Sequence, residues 1–149
     1  MRPVRRAGRA SLVSILVIVC LLGVISLLFL PKDSAASTAS QFMSALAAGD
    51  AEALTELSYM GSSTKEQIRP KWEYVVKVAA PYYRFVWQIE GVTKITETEA
   101  GARLAMYQGQ TKARPGTEER YTLPLIKIDG KWLVDVRSIN PKMFPALPR

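Results

Sequence analysis

The chain has 149 residues, with 20 Lys and Arg against 13 Asp and Glu for a net charge of +7, no histidine and one cysteine. Without histidine there can be no Ser-His-Asp triad, Cys-His dyad, histidine pH switch or zinc site of the usual Cys/His kind, and one cysteine allows no internal disulfide. These absences move the expectation away from hydrolases.

Residues 1–10 form a basic segment, with Arg2, Arg5, Arg6 and Arg9 and no acid. Ser11 to Leu30, SLVSILVIVCLLGVISLLFL, is an uncharged run of twenty residues. As a helix rising about 1.5 Å per residue it covers the roughly 30 Å of a bilayer's hydrocarbon core. Its polar members, Ser11, Ser14, Gly23 and Ser26, are small, and the hydroxyls can bond back to the preceding helical turn. Beyond the run Lys32 is balanced by Asp33, so the positive-inside rule puts the N-terminus in the cytoplasm and the rest outside. A cleaved signal peptide is the rival reading, since Ser34-Ala35-Ala36 has the small residues of a cleavage site. The run exceeds the about 7 to 15 residues of a signal core, and Pro31, Lys32 and Asp33 intervene, which favours a retained anchor. Cys20 follows Val19, where a lipoprotein signal needs a small residue, and reads as a lipid-facing or packing side chain. Gly23 has no glycine partner four residues away, so the close-packing dimer motif of membrane helices is missing.

Residues 31–139 suit one compact outer domain. Setting aside the four N-terminal arginines leaves 16 basic against 13 acidic residues, a net +3. The signs alternate along the chain as on a solvated surface, so no nucleic-acid groove is expected. Asp33 or Ser34 caps a helix whose stripe is Ala35, Ala39, Phe42, Met43 and Leu46, and Gly49 stops it. Asp50 caps a shorter helix, Ala51 to about Leu57, with Ala53, Leu54 and Leu57 inward. Tyr59 to Ser62 reads as a loop, and Ser63-Thr64-Lys65-Glu66 as a capping box. Ile68, Trp72, Val75, Val76 and Ala79 continue at helical spacing, but Pro70 predicts a short turn with a helix starting at the proline and ended by Pro81.

From Tyr82 the pattern alternates. Tyr83, Phe85, Trp87 and Ile89 share one strand face, with an irregularity at Gly91 and β-branched sequence to Thr98. Further strands are expected over about Ala102–Lys112, after an Glu99-Ala100-Gly101 turn, and about Glu119–Ile128, where Pro124 implies an edge or a bulge. Asp129-Gly130 is a two-residue hairpin signal leading into Lys131–Ser138. With Ile128 opposite Lys131, one face gathers Leu123, Leu125, Trp132, Val134 and Val136 as core. The other carries Ile126, Ile128, Leu133, Asp135 and Arg137 and is still partly apolar, so a partner or second copy is expected to cover it. The tail, 140–149, has three prolines and reads as an extended strap or partly disordered segment.

The resulting fold class is α+β: a transmembrane helix, then a cone of about three helices packed in a curved four-stranded antiparallel sheet. Phe42-Met43-Ser44-Ala45-Leu46-Ala47-Ala48-Gly49-Asp50 and Leu123 to Asp135, with Ile128-Asp129-Gly130-Lys131-Trp132 at its centre, resemble the nuclear transport factor 2-like superfamily, also called SnoaL-like or cystatin-like cones. The resemblance covers about Ser34 to Ile139. It implies a cone whose mouth can hold an apolar ligand, and frequent dimerisation through the sheet. Enzymes of the superfamily commonly use a His, Asp or Tyr inside the cone; here there is no His, and spacing places no Asp inward. Membrane-anchored members include assembly subunits of type IV secretion systems and membrane proteins associated with lipid importers, which implies a bacterial setting.

Trp72, Trp87, Tyr107, Tyr121 and Trp132 are the candidate lining of an apolar pocket, weighed against the plainer reading that they fill the core. Ile126, Ile128 and Leu133 are the candidate interface. Asp135 between Val134 and Val136 is a candidate buried base, but Arg137 two residues along predicts a surface ion pair instead. Glu97, Glu99, Glu118 and Glu119 sit at hairpin ends and read as solvated, with no calcium-type loop. The four arginines are explained by topology, and lipid headgroup binding can accompany it. The expectation is therefore a non-catalytic, single-pass cell-membrane protein with its N-terminus cytoplasmic, no cofactor and no metal. Its outer domain binds a protein partner or a second copy through the sheet. The alternatives are an apolar-ligand or lipid-binding module and, lower, an isomerase- or cyclase-like enzyme.

Overall fold

The computed structural model describes residues 34–144 and 146–148. The basic segment 1–10 and the apolar run Ser11–Leu30 lie outside the described residues; among these, no helix is long and apolar enough to cross a membrane.

The first helix, α1, is Ala35–Ala48. Ser34 Oγ accepts from the Ser37 amide at 3.1 Å, and Gly49 ends the helix in the left-handed region with φ 70°. Its stripe of Ala35, Ala39, Phe42, Met43 and Leu46 is buried, as the spacing predicts. Asp50 Oδ1 caps α2, Ala51–Leu57, through the Ala53 amide at 3.0 Å.

The segment after α2 departs from the predicted loop. Ser58–Tyr59 is a short strand, β1, lying parallel to Val134 and Asp135. The sheet therefore has five strands and not four. Two residues are too few to show an alternation, and their partner is some 75 positions away, so no local signal marks them. Lys65 Nζ locks the junction by donating to the carbonyls of Thr55 (2.7 Å), Glu56 (2.8 Å) and Ser58 (3.3 Å).

Helix α3, Lys65–Tyr74, corrects two further expectations. Its capping box is shifted by one residue: the Thr64 amide donates to Gln67 Oε1 at 3.1 Å. Pro70 lies inside the helix and does not start it. The missing N–H and the clash with the Glu66 carbonyl fall on an exposed face, while Ile68 and Trp72 on the inner face are almost wholly buried. Burying those two side chains, at about 1.5–3 kcal/mol for a large aliphatic or aromatic group, matches the roughly 3 kcal/mol cost of the proline. A π-helical turn, Val75–Ala79, and a 3₁₀ turn, Ala80–Tyr82, carry the chain to the sheet.

Strand β2, Phe85–Lys94, shifts register between Ile89 and Gly91 where the irregularity is expected. Strand β3 is Glu99–Gln108, so Glu99-Ala100-Gly101 is strand and the turn is Ile95–Thr98. Gly101 is needed for closeness, not for turning: a Cβ there would lie 2.9 Å from Thr122 Cγ2. Strand β4, Glu119–Ile128, has its predicted bounds, but Pro124 is in an interior strand without a bulge. The Lys127 amide donates to Thr98 O across the β3 side, so by alternation Pro124 N faces the other way, where pairing with β5 starts only at Leu125. The proline costs no ladder bond. Strand β5, Lys131–Asp135, follows the Asp129-Gly130 turn, where φ is 49° and 80°, in the predicted register.

The strand order is β1-β5-β4-β3-β2. One face of this curved sheet closes on α1 and α3, with Phe42, Trp72, Leu104, Met106, Leu123, Leu125, Trp132 and Val134 in one core. Ile139 and the tail join them: Met143, Phe144 and Leu147 of the tail are 5% exposed or less, so it is a packed strap with side chains in the core. Phe144 meets Tyr83 and Phe85 at ring-centre distances of 5.1 and 6.2 Å. Pro70→Ala is expected to raise stability by about 2 kcal/mol in urea unfolding, the restored helix bond less the entropy gained by the unfolded chain. Phe144→Ala is expected to cost about 3–5 kcal/mol, which a tail lying outside the core would not.

Candidate functional site

The alternation of the strands divides the candidate residues between two faces. Trp72 is fully buried on the inner side, its ring edge-on to Phe42 at 5.8 Å. Its Nε1–H donates to Ser58 Oγ at 2.9 Å, and that hydroxyl donates to Leu54 O at 2.6 Å, so the polar end of the indole is satisfied within the protein. Trp132 is buried beside α1, where its carbonyl accepts from Thr38 Oγ1 at 3.4 Å, and Lys127 Nζ lies 5.8 Å from its ring centre. Trp87 and Tyr121 are half-buried against the same core. Tyr107 is not with them. It is buried on the opposite face, level with Val86 in β2. The five aromatic side chains therefore do not line one pocket, and the four inner ones pack as core.

The inner hollow lies elsewhere, at the end of the sheet where β2 begins and β3 ends. It has a volume of about 340 Å³ and is lined by Tyr83, Phe85, Met106 and the strap residues Met143 and Phe144, with Arg84 and Gln108 among its polar groups. Gln108 Nε2 donates to the carbonyls of Lys142 (3.2 Å) and Met143 (3.4 Å), fastening the strap across this mouth. These residues escape a sequence reading that treats the tail as separate. The adjacent Met143-Phe144 pair in an otherwise proline-rich tail is the signal that could have found them.

Beside the mouth, Tyr121 donates to Glu119, and its hydroxyl also lies 3.3 Å from Lys142 O. The bond to Glu119, with burial and the carboxylate's charge, pushes the Tyr121 phenol up to about 12. A carboxylate and a tyrosine thus meet beside the mouth without lining it, and the acid is an exposed glutamate, not an inward aspartate. The other hairpin-end acids are engaged locally. Glu97 pairs with Lys94 at 2.7 Å. Glu118 accepts from the Gly116 amide at 2.7 Å and pairs with Arg120 at 3.0 Å; its own amide and that of Gly116 hold its carboxyl below the usual range. Asp135 does not pair with Arg137. It accepts from Ser138 Oγ, while the Arg137 guanidinium turns to Gly61, so the predicted ion pair gives way to a local turn bond. Among the described residues no three His, Cys, Asp or Glu side chains group as a metal site. Burial holds Lys65 below the usual lysine range although it bonds three carbonyls.

The outer face carries the candidate interface. Ile126 stands opposite Leu133, Ile128 opposite Lys131, and all three apolar side chains are half-buried. Ile95, 66% exposed and 4.0 Å from the position of a Gly101 Cβ, extends this strip and is not foreseen as part of it. Farther across, Arg120 pairs with Glu90 at 3.2 Å as well as with Glu118, so the apolar strip ends at a charged border.

No protein-family model matches the sequence, and no curated protein sequence matches it. Among solved structures the chain is similar to a Campylobacter jejuni protein described provisionally as an NTF2-like transpeptidase, with 22% identity over 68% of this chain and 97% of that one at a TM-score of 0.49. It is also similar to a ketosteroid isomerase-like protein from Erwinia carotovora atroseptica SCRI1043, with 16% identity, 71% and 92% coverage and a TM-score of 0.46. An NTF-2 like protein of unknown function from Shewanella oneidensis MR-1 has 13% identity, 66% and 89% coverage and a TM-score of 0.46. At these identities nothing about activity transfers.

Absorbance titration of the phenols checks the mouth. Tyr121 is expected to ionise near 12, and Glu119→Gln to return it toward the usual value of about 10. Because the folded-state value is the raised one, the associated stability is complete below about pH 10 and is lost as the pH rises through about 12.

Proposed function

We propose that the chain is a single-pass membrane protein, held by Ser11–Leu30 with residues 1–10 in the cytoplasm of a bacterial cell, whose outer domain is a non-catalytic binding or scaffold module of an envelope complex. The observation that supports this best is the division of the sheet. Its inner face is occupied by the protein's own helices and strap, while its outer face leaves Ile95, Ile126, Ile128 and Leu133 as an apolar strip with a charged border. Such a strip is what a protein partner or a second copy of the domain would cover. The setting and the orientation follow from the sequence resemblance and the flanking charges.

A second reading is an apolar-ligand or lipid-binding module, favoured by the hollow of about 340 Å³ at the cone mouth, within the size range of small-ligand sites. Isomerase- or cyclase-like chemistry ranks below both, since the acid–tyrosine pair beside the mouth, Glu119 and Tyr121, does not line the hollow and its acid is open to solvent.

Crosslinking in intact membranes, purification of the full-length protein and mass spectrometry separate these readings. A reproducible protein partner or self-crosslink is expected, lost in Ile126→Asp and Leu133→Asp while secondary structure is retained. Recovery of the chain alone, or with only a small molecule, would remove the scaffold reading and turn attention to the mouth.

A further inference from the structure

Taking the hollow at the mouth as a ligand site, the second reading above, we propose that its ligand is an amphiphilic anion: an apolar chain seated in the hollow, with a phosphate or carboxylate head held by Arg84, Lys112 and Arg114.

The hollow does not stand alone. Pro81, Tyr83, Arg84 and Phe85 also line a second one of about 480 Å³, which reaches Gln110 and Thr111. Those two residues in turn border a third, of about 260 Å³, together with Lys112 and Arg114. The Gly109 amide donates to Arg84 O at 2.7 Å and ties the loop that carries Lys112 and Arg114 to the start of β2. The series therefore runs from an apolar end at Phe85, Met106, Met143 and Phe144 to a polar end on the loop after β3. At the apolar end the unbranched side chains of Met106 and Met143 adapt to an alkyl chain.

Charge along this series is of one sign. Arg84, Lys112 and Arg114 are the charged residues that line it, and no acid among the described residues does. All three are exposed, and none forms an ion pair among the described residues. The acids where the loop ends are engaged elsewhere, Glu118 with the Gly116 amide and Arg120, and Glu119 with Tyr121. A cleft lined by one sign of charge concentrates counter-ions, and a guanidinium can grip two oxygens of a phosphate or carboxylate at once. One polar group here is also unmet. Gln110 Nε2 donates to Thr117 Oγ1 at 3.0 Å, but its Oε1 is shielded from solvent and has no partner among the described residues, which suits a hydroxyl beside the anionic group.

The test compares three probes by native mass spectrometry of the full-length protein released from detergent micelles. They are dodecanoyl lysophosphatidate, its uncharged counterpart monododecanoylglycerol, and glycerophosphate, which has the head without the chain. The lysophosphatidate is expected to bind about tenfold more tightly than the monoacylglycerol, the worth of one charge-assisted hydrogen bond. Combining Arg84→Gln, Lys112→Gln and Arg114→Gln, all at exposed positions, is expected to bring that preference to near parity and leave monoacylglycerol binding unchanged. Equal binding of the two lipids, or a preference that survives the triple variant, would overturn the proposal and leave the hollow as an apolar-ligand site. Glycerophosphate bound as tightly as the lysophosphatidate would replace the amphiphile with a free anion. Binding of no probe, with the circular dichroism of the folded protein intact, would remove the ligand-binding reading and this proposal together.

Discussion

The pairing of β4 with β5 across Asp129-Gly130 is the constraint on which the rest of the domain depends. The two residues take φ of 49° and 80°, the mirror-image turn that suits the natural twist of a hairpin, and so set Leu125 opposite Val134 and Ile126 opposite Leu133. Because side chains alternate, a slip of β5 by one residue would send Trp132 and Val134 outward and bring Lys131 and Leu133 in. The same register carries Trp132 O to Thr38, docking α1, and leaves Val134 and Asp135 to pair with β1.

The two faces of the sheet then serve different purposes. The inner face is completed by α1, α3 and the strap, and its polar atoms are answered locally: the Trp72 indole by Ser58, the strap carbonyls by Gln108. The outer face is mixed. Arg120 with Glu90 and Glu118 forms a solvent-facing network whose exposed pairs contribute little to stability, each typically below about 1 kcal/mol. Beside it the isoleucines and Leu133 make a strip that the domain itself leaves half covered.

The strap is part of the hollow at the mouth. Met143 and Phe144 form part of its apolar wall, and Gln108 holds the Lys142 and Met143 carbonyls from the end of β3. The segment is held both by its buried apolar side chains and by its Lys142 and Met143 carbonyls, which accept from Gln108. The hollow at the mouth is thus bounded partly by Met143 and Phe144.

Local patterns sufficed for the elements whose physics is local. Ser34 and Asp50 as caps, Gly49 as a stop, the α1 stripe, the break near Gly91 and the Asp129-Gly130 register all follow from spacing within a few residues, and with them the buried and half-covered faces of β4 and β5. What tertiary packing decided lay beyond that reach. Pro70 sits inside α3 because Ile68 and Trp72 are buried on either side of it, and Pro124 sits in an interior strand because its missing amide points to where pairing has ended. Ser58–Tyr59 becomes a strand only through a partner some 75 residues on, and Tyr107 parts from the other aromatic side chains because β3 presents it to the outer face. Alternation says which residues share a face, but only the arrangement of strands says which face is enclosed and what encloses it.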